Sequence, residues 1–328
     1  TERLSLTVGQ QAQMNYTLNS LEEVVVVGTS INVADTAIGP TAVFDLTSLQ
    51  GSPAINRNIN DIIQQDPRIY IDQGRGDIDS VQCNGANPRY NSLTVDGVRM
   101  NDLFGLNSNG YPTERQPFSY DSIEQVAVEL APFDVFYGQF TACNINAVSK
   151  SGSNEWHGSM FYDYTSDALK GDSLEGEDID NGDYDETRYG VTLGGPFFKE
   201  NMFFFVDYEK LDGAILFDRV SSDSPDSGLR QDGVSDAQLE RIANIASSVY
   251  GYEVDPIVKT LPVEDEKWTV KLDWDISENH RATYTYNYND GFNWSQSDSW
   301  DGALEFSDHY YERGAELTSH TGALFSNW

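Results

Sequence analysis

The sequence has few basic residues, few cysteines and no long apolar run, and each shortage argues against a class of protein. Its 328 residues include 20 lysines and arginines against 53 acids, a net charge of −33, which argues against nucleic-acid binding because phosphates need basic partners. No stretch of 18 or more apolar residues occurs, so no membrane-spanning helix is predicted. Methionine is scarce while glycine and aromatic residues are plentiful, which favours β structure over a helical bundle.

Cysteine and histidine are equally sparse. The two cysteines, Cys83 and Cys143, allow one disulfide in an oxidising compartment, and the alternative is a pair of buried free thiols. The four histidines are scattered over different predicted strands and turns and predict no metal site: His157, His280, His309 and His320. Because no local Ser/His/Asp arrangement occurs either, the sequence predicts no catalytic residues, no cofactor and no enzyme.

The first 42 residues contain two kinds of segment. Residues 1–20 alternate apolar and polar residues in two short stretches, which predicts strands. Residues 21–29 read LEEVVVVGT, and the four consecutive valines neither alternate nor suffice to cross a membrane as a helix. A connector rich in threonine, alanine and glycine follows, up to residue 42.

Residues 43–152 predict a small α+β domain. The patterns predict a helix over residues 59–65, capped by Asn58, with Ile59, Ile62 and Ile63 on one face. They also predict strands at residues 69–71, 93–95 and 126–128 and a tight turn at Asp96-Gly97. The loops at residues 72–90 and 101–119 are long and polar. Loops of that length are often functional.

Residues 153–328 show strict alternation over segments of about ten residues, which is typical of a transmembrane β-barrel. Trp268, Val270 and Leu272, for example, alternate with Thr269 and Lys271. A water-soluble sandwich also alternates, but the connections favour the membrane barrel. Short turns are predicted at residues 196–201 and 276–280, and long acidic loops at residues 168–185, 213–266 and 291–307.

Two further features of residues 153–328 extend this prediction. Aromatic residues cluster at the predicted strand ends, as in the girdles of outer-membrane barrels. We count about six strands, whereas a barrel wide enough to surround a domain of about 100 residues needs on the order of 22. The sequence is therefore predicted to be the N-terminal part of a longer protein, mainly β, with an α+β domain followed by the first strands of a transmembrane antiparallel barrel.

Several motifs resemble those of one family. Residues 84–100 read NGANPRYNSLTVDGVRM, residues 123–128 read IEQVAV, residues 137–152 read YGQFTACNINAVSKSG, and residues 154–159 read NEWHGS. In this order, after a valine-rich segment, they resemble a TonB-dependent outer-membrane receptor over the whole chain. One departure is Asn84-Gly85, where many members have Arg-Gly. The closer resemblance is to the Oar-like branch, whose members carry a carboxypeptidase-regulatory-like β domain before the plug.

The resemblance implies a domain order and a location. Residues 1–20 would end the carboxypeptidase-regulatory-like domain, residues 21–42 would hold a TonB-box-like segment and linker, residues 43–152 would be the plug, and residues 153–328 would begin the barrel. The chain would lie in the Gram-negative outer membrane, in contact with its lipid, with the plug and N-terminus on the periplasmic side. Cys83 and Cys143 would suit a disulfide within the plug.

The valine run resembles a TonB box, the segment that an energy-transducing TonB-type protein binds. The implied partner-binding residues are Glu22, Glu23, Val24, Val25, Val26, Val27 and Gly28. Valine favours extended backbone, and an extended segment can add as a strand to a partner's sheet. The alternative is an ordinary strand of the preceding β domain or of the plug.

The resemblance says little about the identity of the external ligand. Oar-like receptors are associated with peptide or protein cargo, and loop length suggests the ligand-facing plug residues Arg75, Asp77, Asp79, Asn107, Asn109, Tyr111 and Arg115. A weak calcium candidate, whose spacing does not fit an EF-hand, consists of Asp178, Asp180, Asp183 and Asp185. A solvated external loop is the better interpretation of those four acids.

Two functions are compatible with these features. The first is TonB-dependent active transport across the outer membrane, in which the partner pulls on the N-terminal segment and so rearranges the plug. The second is a non-transporting adhesin or assembly platform on the same scaffold, which the long acidic loops would suit.

Overall fold

The structure of the protein is a computed structural model. It describes residues 41–45, 51, 57–73, 79–105, 107, 109–131, 138–169, 171, 173–174, 177–178, 184–216, 219–224, 229–254, 260–296, 304, 306 and 310–326.

Residues 41–152 fold as a small α+β unit, called the plug domain below. Its elements are β1 (Thr41–Phe44), α1 (Asn60–Ile63), β2 (Ile69–Gln73), β3 (Asp79–Cys83), β4 (Ser92–Val95), β5 (Val98–Arg99), β6 (Ile123–Glu129) and β7 (Asn144–Ser149), with 3-10 turns at Pro88–Tyr90 and Tyr120–Ser122. Five strands form one sheet in the order β1-β6-β7-β4-β5, in which β4 and β7 are parallel. Strands β2 and β3 form a separate antiparallel hairpin.

Helix α1 is shorter than the predicted helix over residues 59–65. The Asn58 side chain accepts a hydrogen bond from the Asn60 backbone N–H (3.0 Å), but the helix itself begins at Asn60. After the Gln64 N–H, which bonds to Asn60, the backbone tightens: the N–H groups of Gln65 and Asp66 bond three residues back, to Ile62 and Ile63, ahead of Pro67. The predicted apolar face is nevertheless correct, since the three isoleucines at positions 59, 62 and 63 are fully buried.

The predicted tight turn at Asp96-Gly97 joins β4 to β5. Both residues have positive φ, +49° at Asp96 and +80° at Gly97, which is the conformation that a two-residue hairpin turn requires and that Asp-Gly favours. The turn therefore brings the Asp96 carboxylate to the end of β7, where the Ser149 backbone N–H donates to it (2.9 Å).

The main hydrophobic core lies inside the plug domain. It contains the α1 isoleucines, side chains from both sheets, and Tyr111 and Phe118 from the long loop: Ile59, Ile62, Ile63, Ile69, Val81, Cys83, Leu93, Val95, Met100, Tyr111, Phe118, Ile123, Val126, Val128, Cys143, Ile145 and Ala147. Burial of apolar surface at this core is the main source of the domain's stability.

The rest of the described chain is dominated by long strands. The elements are β8 (His157–Ser166), β9 (Ser173–Leu174), β10 (Glu177–Asp178), β11 (Asp185–Phe198), β12 (Met202–Leu216), β13 (Arg219–Ser221), β14 (Leu229–Gln231), α2 (Asp236–Tyr250), β15 (Thr260–Ser277), β16 (His280–Gln296) and β17 (Tyr310–Ser326), with a 3-10 turn at Asp167–Leu169. Among the described residues, no helix is long and apolar enough to cross a membrane.

Six of these strands form one antiparallel sheet, called the strand wall below, in the order β17-β16-β15-β12-β11-β8. Strands β11 and β12 are joined by a short turn, as are β15 and β16, whereas the other connections are long and one contains α2. Helix α2 has the capping box of Ser235 with Gln238 and a left-handed glycine at its C-terminus, Gly251. The strand wall thus has short turns at one end and long loops at the other.

Gly152 lies where the chain passes from the plug domain into the strand wall. A Cβ at this position would lie 2.3 Å from the Phe204 carbonyl oxygen and 2.7 Å from that of Gly195. Both atoms belong to the backbone of hydrogen-bonded strands, and moving either strand would break hydrogen bonds of the sheet. Glycine is therefore required by the close approach of two backbones.

We expect Gly152→Ala to destabilise the junction by about 2 kcal/mol, because overpacking of a tight site costs that much. The measurement is thermal unfolding of the purified protein. Gly138→Ala is the matched control, since a Cβ at Gly138 would meet nothing within 4 Å. Equal melting temperatures for the two variants would contradict the prediction.

Candidate functional site

The face of the strand wall that meets the plug domain carries mostly polar side chains, together with the buried Phe203, Phe205, Leu211 and Val263, and the opposite face carries apolar ones. Along β15, Asp265, Lys267 and Lys271 are buried, while Trp268 and Trp274 are 38% and 49% exposed. Other buried polar residues of the wall are Arg188, Thr192, Asp207, Glu209, Thr269, Asp273, Thr285, Asn287, Asn289 and Asn293. A soluble sandwich buries its apolar face instead, so this arrangement is that of a membrane barrel wall.

Aromatic side chains lie on the outer face of the wall at two levels. Tyr208 packs between Tyr189 and Trp268, with ring centroids 6.2 Å and 4.4 Å apart. Closer to the short turns, Trp156 packs edge-on against Phe204 at 5.4 Å. Aromatic rings on the outward face are typical of the wall of an outer-membrane barrel.

On the inner face, charges of adjacent wall strands are paired with each other. The Lys267 ammonium lies 3.2 Å from the Glu209 carboxylate on β12 and 2.8 Å from Asp265 on its own strand. All three side chains are buried, and a buried charge is tolerated only with such partners. The wall therefore presents an ordered polar surface to the plug domain.

The first contact between wall and plug is made by Lys271, which is buried. Its ammonium donates to the Ser149 carbonyl (3.1 Å) and hydroxyl (3.0 Å) and lies 3.6 Å from the Asp96 carboxylate. Because Asp96 also accepts the Ser149 N–H, one wall cation fixes both the β4–β5 turn and the end of β7.

The second contact involves Ser119 and Arg57. The Ser119 hydroxyl donates to the buried Asp207 carboxylate of β12 (3.0 Å). Arg57 forms an ion pair with Asp121 of the plug and places its guanidinium 3.5 Å from the centroid of the Phe161 ring on β8. A cation over an aromatic face contributes about 1 kcal/mol or more when it is shielded from water.

The third contact involves Arg313 of β17 and the long plug loop. Its guanidinium donates to the Asn107 side-chain oxygen (2.7 Å) and lies 3.4 Å from the buried Glu114 carboxylate. Burial raises the pKa of Glu114, and the nearby Arg313 charge opposes that shift. Asn107 also donates to the carbonyl groups of Tyr111 and Thr113, so Arg313 is tied to the fold of this loop.

Four of the predicted ligand-facing residues come together in the structure, namely Asp79, Asn109, Tyr111 and Arg115. They line a cavity between plug and wall. With a volume of about 30 Å³, it has room for roughly two water molecules. Burial raises the pKa of Tyr111, so its phenol stays protonated.

The other three predicted ligand-facing residues are Arg75, Asp77 and Asn107. Asn107 contacts Arg313, as above, whereas Arg75 and Asp77 lie outside the described residues. The described members therefore hold the plug loop and face the wall. Their role toward a ligand stays a prediction.

Cys83 and Cys143 form a disulfide, with their Cα atoms 6.0 Å apart. The bond joins the end of β3 to the residue before β7, and both cysteines are buried in the plug core. Of the two alternatives that the cysteine count left open, the structure contains the disulfide.

Two other predicted sites are largely outside the described residues. These include the TonB-box-like segment at residues 22–28 and the calcium candidates Asp180 and Asp183. Asp185 begins β11 and is exposed. Within the described ranges, histidine, cysteine and acidic side chains form no group of three that could hold a metal ion.

The residues that join wall and plug belong to no motif of the sequence. Lys271, Asp207 and Arg313 were each visible only as a charged residue within an alternating strand. The signal available was their position on the face opposite outward aromatic residues such as Tyr208 and Trp268, since an unpaired charge on the buried inner face would be costly. Their partners in the plug could not be inferred from it.

Comparison with known proteins matches both parts of the chain. Residues 35–143 match the model of the TonB-dependent receptor plug domain, and residues 148–238 match an outer membrane beta barrel domain. The TonB-dependent transporter Oar of Myxococcus xanthus is 33% identical over 135 residues, which are 39% of this chain and 12% of that protein.

Solved structures show the same fold at low identity. The outer membrane transporter YddB from Escherichia coli aligns with a TM-score of 0.62 and 14% identity, over 88% of this chain and 37% of that one. The ferripyoverdine receptor of Pseudomonas aeruginosa, bound to ferripyoverdine, aligns with a TM-score of 0.53 and 12% identity, over 88% of this chain and 32% of that one. The chain thus spans about an eighth of the length of its curated relative and about a third of these solved chains.

We expect Lys271→Met to weaken the attachment of the plug domain by about 3 kcal/mol, since Asp96 then loses its buried cationic partner. Hydrogen exchange should show the loss at the Asp96-Gly97 turn and along β7. Adding Asp96→Asn to this variant should restore part of the protection, because no unpaired charge remains. Lys210→Met, on the outer face of β12, is the control; a similar effect there would refute the role of Lys271.

The Glu114 carboxyl predicts a pH dependence. The pKa of the Glu114 carboxyl is raised in the folded protein above its ordinary value of 4.5. The protonated carboxyl therefore contributes stability at pH values below 4.5, and this contribution is lost as pH rises through the raised pKa. The stability of Glu114→Gln relative to the parent, measured by thermal unfolding, should therefore rise as pH rises above 4.5. Glu124→Gln, on the half-exposed side of β6, is the control, and a pH-independent difference for Glu114→Gln would contradict the assignment.

Proposed function

This chain belongs to the TonB-dependent receptors of the Gram-negative outer membrane, and from that premise we propose that it takes part in active transport of a ligand across that membrane. Its relatives are transporters and receptors rather than enzymes. The observation that carries the proposal is the plug domain held against the inner face of a barrel wall by polar contacts, centred on Lys271 and Asp207.

A polar interface supports a plug that moves. The contacts of Lys271, Ser119 and Arg313 are hydrogen bonds and ion pairs, which water can replace as the two surfaces separate. The main apolar core lies within the plug itself, with Leu317 of the wall packed against it. Displacing the plug as a whole therefore needs force along polar contacts, whereas displacing only one part of it also separates the apolar core that the parts share.

We infer the energy source from the N-terminal segment. Residues 22–28 combine two acids with four valines just before the plug, and such an extended segment can add as a strand to the sheet of a TonB-type partner. Pulling on that segment would load the plug from its N-terminal side. For the ligand, the resemblance to the Oar-like branch makes a peptide or protein the first class to test.

The test is deletion of residues 24–27 in the full-length receptor. Cells expressing it are incubated with a defined peptide library, and depletion of peptides from the medium is measured by mass spectrometry. We expect the parent to deplete receptor-dependent peptides at least tenfold faster than the deletion variant, and a protonophore to abolish the difference. Binding of the same peptides in the cold should be unchanged, because the plug and loops are intact.

Deletion of residues 36–39 is the matched control, since it shortens the linker by the same length and keeps the valine run. It should retain uptake. If the parent binds peptides but depletes none with energy, and the valine deletion changes nothing, the chain serves instead as an adhesin or assembly platform. The long external loops and the exposed apolar residues of α2, such as Ile242 and Val249, would then be its binding surface.

A further inference from the structure

The disulfide divides the plug domain into two parts with different mechanical roles. Cys83 and Cys143 are 60 residues apart in sequence but only 6.0 Å apart between Cα atoms. Tension along a chain follows the shortest covalent path. A force that arrives from the N-terminal side at Cys83 therefore passes through the two sulfurs to Cys143, and residues 84–142 carry no backbone tension.

The part before Cys83 is built so that it can be removed stepwise. Strand β1 has four residues and lies at the edge of the plug sheet, where it pairs with β6. The next elements are the short helix α1 and the β2–β3 hairpin, which forms a sheet of its own. This part reaches the strand wall through Arg57, which lies over Phe161 and 4.0 Å from Asp163.

The part that the disulfide closes is attached to the wall at several points. Asp96 contacts Lys271, Ser119 contacts Asp207, and Glu114 and Asn107 contact Arg313. These wall residues come from β15, β12 and β17, so the attachment extends across the sheet. Just beyond the disulfide, Ser149 binds Lys271, and Gly152 packs against the wall backbone.

We propose that the Cys83–Cys143 disulfide limits the part of the plug that pulling can extend, so that β4, β5 and β6 stay folded against the wall while β1, α1 and the β2–β3 hairpin leave. The inference rests on the proposed function only for the direction of the force. The opening would form beside β8, where Arg57 contacts Phe161 and Asp163. The core is shared between the two parts, so their separation needs work.

The experiment is single-molecule force spectroscopy on the full-length receptor in a lipid bilayer, pulled from its N-terminus. Extended chain spans about 3.5 Å per residue. In the parent, the plug can release residues 41–83 and 143–152, at most about 180 Å. In Cys83→Ser/Cys143→Ser, it can release all of residues 41–152, up to about 390 Å.

Each outcome decides the proposal. We expect a parent release of about 150 Å, the length of residues 41–83, with about 180 Å as its upper limit, and a release of up to about 390 Å in the double variant. A parent release near 390 Å would overturn the proposal. This outcome needs only the parent protein, so the test still works if the double variant does not fold. Equal short releases in both proteins would also overturn it, because the unfolding would then stop before Cys83 for another reason.

The force measurement and the uptake test fail independently. Loss of energised uptake on deleting residues 24–27 tests transport, whatever the extension is. A redox-dependent extension in a receptor that takes up nothing would leave the mechanical inference standing and remove the transport proposal.

Discussion

The structure depends on one constraint, which is that a sheet crossing hydrocarbon must satisfy every backbone polar group within itself and expose apolar side chains outward. Strict alternation then sends every second side chain of the strand wall inward. That face is polar and charged here, with Asp207, Lys267 and Lys271 buried on it. A charged inner face needs a polar partner, and the plug domain supplies it through Ser119, Asp96 and Ser149.

The plug domain combines two kinds of stability that serve different ends. Its apolar core, with the disulfide at Cys83 and Cys143, keeps the domain folded as a unit. Its attachment to the wall is polar and spread over separate points on β12, β15 and β17. The disulfide and the polar attachment both hold the part from Cys83 to Cys143, whereas β1, α1 and the β2–β3 hairpin join that part through the shared core. This combination suits a gate whose parts leave and return.

Several elements could be predicted from local sequence because local physics decides them. The Asp96-Gly97 turn follows from the two positive φ angles that Asp-Gly tolerates, and the buried face of Ile59, Ile62 and Ile63 follows from helical spacing. The length of α1 was overestimated because the backbone bonds tighten before Pro67, which residue spacing alone does not show. The ligand-facing prediction used loop length, which says nothing about which way Asp79, Asn109 and Tyr111 point. In the structure these three line a small cavity against the wall.

The sequence by itself determined the class of fold, the alternation of the wall strands, the turn and loop lengths, and the family that the plug motifs indicate. These are properties of neighbouring residues, with periods of two to four positions. Only the tertiary structure decided that Cys83 meets Cys143 and that Lys271 binds Ser149, across 60 and 122 positions of sequence. Such pairs depend on how the plug is seated within the wall, because a charge on an alternating strand specifies the face it lies on but not its partner.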